Sequence, residues 1–93
     1  MSVARLALLG VTPNPVNAGV DLLVRLALPA DGAATLQVLD VAGRVMAKRE
    51  LGSLGPGIHD ARVAWDRRPA PGIYWVRLTH GDKSVSSRVG VLQ

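Results

Sequence analysis

The chain contains no cysteine and no phenylalanine, and its aromatic side chains are two tryptophans and one tyrosine. Without cysteine there is no disulfide, no thiolate nucleophile and no cysteine-based zinc site, and the redox compartment is left open. Without phenylalanine the interior has to be filled by Val, Leu, Ile and Ala. Long hydrophobic runs are missing as well. The longest, residues 4–11 broken by Arg5, falls short of the roughly 18 residues a membrane span needs, so no transmembrane segment is expected. No small-residue cleavage site follows it, and it reads as a first strand. Any export information then has to lie on a longer precursor or in the folded domain itself.

Ninety-three residues allow one core, so residues 1–93 are read as a single domain, which would bury about 60–65% of its unfolded surface. At 48% hydrophobic and 19% charged the chain is expected to fold rather than stay disordered. The net charge of +4 raises the question of nucleic acid. The basic residues are scattered from Arg5 to Arg88 with no dense run, so a solvated, mildly cationic surface is expected and no nucleic-acid partner.

What the chain does have is alternation punctuated by turn residues. Ala4, Leu6 and Leu8 alternate with Arg5, Ala7 and Leu9, and the run ends at Pro13-Asn14-Pro15, where two prolines exclude a central ladder and imply a stiff corner. Val20, Leu22, Val24, Leu26 and Leu28 recur at every second residue, the strongest strand signal present. After Pro29, Asp31 and Gly32 the pattern restarts over residues 34–40. Asp40-Val41-Ala42-Gly43-Arg44 suits a hairpin in which the Asp side chain holds turn amides and Gly43 supplies a positive φ. Residues 45–51 would return as a short edge strand guarded by Lys48, Arg49 and Glu50.

The glycine-rich stretch 52–57 reads as a loop, followed by a strand whose His59, Ala61, Val63 and Trp65 share one face, with Trp65 in the core and Asp66 ending it. Residues 66–72 form a second loop. Tyr74, Val76 and Leu78 then alternate with Trp75, Arg77 and Thr79, and Val85, Ser87, Val89 and Val91 return after a turn at Gly81-Asp82. About seven strands with closely spaced turns, and no helical period, predict an all-β, Ig-like antiparallel β-sandwich.

Little in this pattern carries chemistry. His59 and His80 stand at no metal-ligand or nucleophile-base spacing, and the carboxylates fall mostly at strand ends, where Asp caps amides. Calcium through Asp31, Asp40, Asp66 or Asp82 lacks the clustered Asp spacing that such loops use. No cofactor, metal or catalytic residue is therefore expected, and the chain is not read as an enzyme. Trp75 falls out of phase with the core-facing set, so it should stand outside beside Arg77, where an indole next to a guanidinium can contact a sugar or a partner chain.

In order, Pro13-Asn14-Pro15, then Asp40 with Gly43-Arg44, then Gly57 with His59, Trp65-Asp66, and Gly72-Ile73-Tyr74 followed by Val76 and Leu78 resemble the type A C-terminal sorting domain of proteins exported by the bacterial type IX secretion system. The chain is also similar to the Ig-like domain of the flagellar hook-capping protein. The resemblance spans nearly the whole chain. It implies an Ig-like sandwich at the end of a longer secreted protein, recognised by the outer-membrane sorting machinery through its surface and its last strands, and retained at the cell surface or cut away. In that family the final strand carries several lysines; here it offers Arg88 among Val89 and Val91. The alternative reading is an Ig-like assembly module that pairs edge strands with copies of itself or with a parent enzyme.

Overall fold

Period-two alternation places one face of each strand against a core and the other in water, so the phase of each strand fixes which sheet face it lines. In the computed structural model, which describes residues 5–93, the strongest alternating run becomes β3 (Leu22–Leu28), with Leu22, Val24, Leu26 and Leu28 at essentially zero exposure. It is the middle of a three-stranded antiparallel sheet, between β1 (Ala7–Thr12) and β6 (Gly57–Val63). Ala4, part of the expected first strand, lies outside the described residues.

The second sheet has five strands in the order β2-β8-β7-β4-β5, formed by β2 (Val16–Asn17), β4 (Gly32–Leu39), β5 (Val45–Leu54), β7 (Gly72–His80) and β8 (Lys83–Leu92). Its inner face sets Leu36, Val38, Val76, Leu78, Val89 and Val91 against β3. Among the described residues no polar or charged residue is buried. The aliphatic interior expected from the missing phenylalanines is what joins the two layers into a β-sandwich of Ig-like character.

Several boundaries differ from the sequence expectation. Among the described residues eight strands form where about seven were expected, because Val16 and Asn17 pair with Val91 and Leu92, and this pair is parallel where the other described pairs are antiparallel. Val20 stands outside β3 and is exposed; its carbonyl is taken by the Trp65 indole N–H at 2.9 Å. The glycine-rich stretch is not all loop: Gly52 to Leu54 continue β5 past a bulge at Leu51, where Ala34 pairs with Gly52 and Thr35 with Glu50. A second bulge at Met46 turns that side chain inward beside Ala47.

Trp65 lies beyond the end of β6 and is half-buried, packed on the margin of the core rather than inside it. Its ring meets Tyr74 edge-on at 5.3 Å between centroids, a geometry worth about 0.5–1.5 kcal/mol beyond area burial. The Tyr74 hydroxyl donates to the Ala70 carbonyl at 2.6 Å, four residues upstream. A tyrosine near the start of this strand tied back to the preceding loop is the tyrosine corner of Ig-like sandwiches. Nearby, the Asp66 amide donates to the Met46 carbonyl and anchors the loop to β5.

Tyr74→Phe keeps the ring contact and removes the hydroxyl bond. It should lower stability by about 1 kcal/mol, read as a thermal midpoint drop of roughly 4–8 °C with the denaturant m-value unchanged. A drop in m as well would show that the corner organises more than its own loop.

Candidate recognition edge and outer sheet face

Proline cannot donate to a strand ladder, so the chain can leave β1 and reach the other sheet at Pro13 and Pro15 without abandoning amide donors. Both X-Pro bonds here, Thr12-Pro13 and Asn14-Pro15, are cis. Between them the Asn14 side chain does what a backbone would. Its Nδ2 donates to the Arg88 carbonyl at 3.3 Å and its Oδ1 accepts the Gly90 amide at 3.1 Å. Val16 and Asn17 continue along Val91 and Leu92, and the Ala18 amide closes on the Leu92 carbonyl at 2.8 Å. The motif is thus joined to the last strand, with Asn14 supplying an amide where neighbouring prolines have none.

The outer face of the five-stranded sheet carries the residues whose phase pointed outward. Trp75 is half-buried there, facing Leu39 on β4 and Arg88 on β8, and Arg77 stands between Gln37 and Ser86. Ile73, beside Gly90, and Val45, beside Leu39, are both exposed. Trp75, Arg77 and Arg88 therefore form one exterior patch, bordered by the Asn14 corner.

The remaining motif residues lie elsewhere. Asp40 organises the β4-β5 hairpin: one oxygen accepts the Ala42 and Arg44 amides at 2.9 and 2.8 Å, and the other accepts the Arg44 guanidinium at 2.8 Å. Gly43, at φ +83°, makes the reversal that an L side chain resists. These bonds, led by the Arg44 amide and then its guanidinium, hold the Asp40 carboxyl below its ordinary value. His59 contacts the Gly55 carbonyl at 2.7 Å, bracing the turn before Gly57. Trp65, Asp66 and Tyr74 belong to the corner already described, Gly72 opens β7 opposite Val91, and Val76, Leu78, Val89 and Val91 belong to the core. Most of the motif is scaffold. What it brings to one exposed place is Asn14, Trp75, Arg77 and Arg88.

Two features had no counterpart in the sequence reading. On the outer face of the three-stranded sheet, Arg25 grips Asp60 across β3 and β6 through bonds of 2.9 and 3.2 Å, which holds the Asp60 carboxyl below its ordinary value. An i to i+35 pair is visible only once the strands are aligned. The His80 side chain fits beneath Gly32, where a Cβ would lie 2.9 Å from Nε2, so any larger residue at position 32 would displace the imidazole. Among the described residues no three His, Cys, Asp or Glu side chains assemble into a group that could hold a metal ion, and no helix is long and apolar enough to cross a membrane.

No family model matches the chain, and no curated protein matches it.

Two outcomes follow from this geometry. Asn14→Ala should cost about 1–2 kcal/mol for two lost bonds and should accelerate amide exchange at Gly90 before any change at Val89. The second concerns pH. Because the Asp40 carboxyl is held down in the folded state, its contribution is fully present above the unfolded value of 3.8 and lost as pH falls through the lower folded one. The urea midpoint of the parent should stay above that of Asp40→Asn at neutral pH and converge on it in strong acid. A difference that widens on acidification would reverse the assigned sign.

Proposed function

We propose that this domain is a non-enzymatic sorting and cell-surface anchoring module of a secreted bacterial protein, read by the type IX secretion machinery at the outer membrane. The observation that carries the reading is the Asn14 tie. It makes the Pro-Asn-Pro corner and the Arg88 segment of the last strand a single surface, so a receptor meets the first and last motifs together. An aliphatic interior with no buried polar residue among those described leaves recognition to the exterior. Trp75 and Arg77 supply an aromatic and a cationic anchor on the adjoining face, the residue types that dominate interface energetics.

Recognition of this kind depends on a folded edge rather than on a linear tail. Removing residues 87–93 deletes Val89 and Val91 from the core and would abolish sorting through unfolding alone. Surface variants are the sharper tool. Residues 1–93 fused behind a signal-peptide-bearing reporter in a type IX-competent bacterium should bring the reporter to the cell surface. Arg88→Glu combined with Trp75→Ala should leave it in the periplasm while the purified domain keeps its thermal midpoint within a few degrees. A parent fusion that remains periplasmic refutes the assignment, and surface display by the double variant removes this patch from it.

A further inference from the structure

Each sheet edge is a row of backbone donors and acceptors that natural folds interrupt or cover. Three of the edges here are broken. β1 has a bulge between Leu8 and Gly10, and β5 has two. Along β6 the Arg49 guanidinium occupies the Arg62 carbonyl at 2.6 Å, clasping the two sheets together. The β8 edge is different.

In β8 the even-numbered residues turn their backbone groups away from β7, as the bonds of Arg88 and Gly90 to Asn14 and of Leu92 to Ala18 demonstrate. By the same alternation Ser84 and Ser86 present N–H and C=O outward. Among the described residues nothing pairs with them there: β2 ends at Val91 and Leu92, and Asn14 reaches no farther than Arg88. The register with β7 is unbroken through this stretch, and it contains no proline and no bulge.

Two further observations define what fits. Beneath this edge, between the sheets, lies a groove of about 560 Å³ walled by Leu6, Pro29 and Val85 and rimmed by Arg5 and Lys83. On the outward side Arg77 faces Ser86 and Arg88 follows. A strand laid along Ser84 to Arg88 would drop alternate side chains into the apolar groove and present the others to guanidinium groups. We infer that β8 is an acceptor edge for an extended segment of another protein, one that alternates apolar with acidic residues and adds as a further strand beyond Asn14. The cations also oppose a second copy, since pairing β8 with itself about Ser86 would add no carboxylate and would gather the Arg77 and Arg88 guanidinium groups of both chains on one outer face.

This goes beyond the sorting reading and is separable from it, because a peptide can bind whether or not a reporter is exported. The probe is a short synthetic peptide of alternating valine and glutamate, titrated into the full chain. Shifts and new amide protection should centre on Ser84 and Ser86. N-methylation of the peptide amides that face the edge should weaken binding roughly tenfold or more, and replacing glutamate by lysine should do the same. Ser86→Pro should abolish binding without altering the β7 ladder, because that N–H is not used there. If that variant fails to fold, Arg88→Glu provides the test, losing the glutamate peptide and gaining the lysine one. Equal affinity of the methylated peptide, shifts centred on another strand, or concentration-dependent dimers in peptide-free solution would each overturn the inference.

Discussion

Pro13 and Pro15 carry no amide hydrogen, and much of the molecule is arranged around that deficiency. A strand that cannot donate cannot stay in a ladder, so the chain leaves the three-stranded sheet and crosses to the five-stranded one. The Asn14 carboxamide supplies a donor and an acceptor to Arg88 and Gly90, after which two residues of regular pairing suffice to seat β2. Because the crossing is short and β2 covers only the end of β8, the rest of that edge has no strand partner among the described residues. One constraint thus closes the sandwich and sets where it stays open.

The interior has the opposite character. Leucine and valine from both sheets meet with no buried polar residue among those described, and aromatic rings enter only at the margin, where Tyr74 and Trp65 brace the corner. Such a core supplies non-directional stabilisation. Directional interactions are found at its periphery, in the Asp40 turn, the Tyr74 corner, the Arg49 clasp and the Asn14 tie. The result is a sandwich whose distinguishing features lie on its rims.

Much of the fold was legible because period two is enforced wherever one face of a strand is buried. Val24, Leu26 and Leu28, like Tyr74, Val76 and Leu78, could be phased from their neighbours alone, and Trp75 followed as an outward residue. Elements that did not repeat were missed. Val16 and Asn17 are too few to show a period, and the bulges at Met46 and Leu51 break phase within β5. Trp65 continued the alternation of β6 past the point where its pairing ends. The candidate site was harder to see for a different reason. Turn chemistry at Asp40 and Gly43 is local, whereas an edge is defined by which strands fail to pair with it. No pattern inside residues 83–88 distinguishes a covered strand from an open one.

Amide hydrogen exchange resolved along β8 in the free protein is the most direct test of a sandwich closed at its core and open at one rim. Val85, Ser87 and Val89, bonded to β7, should exchange at the rate of global unfolding, Gly90 more quickly under the cover of Asn14, and Ser84 and Ser86 fastest of all. Protection of Ser84 and Ser86 equal to that of Val85 and Ser87 would mean that the edge is already covered, and would contradict the account.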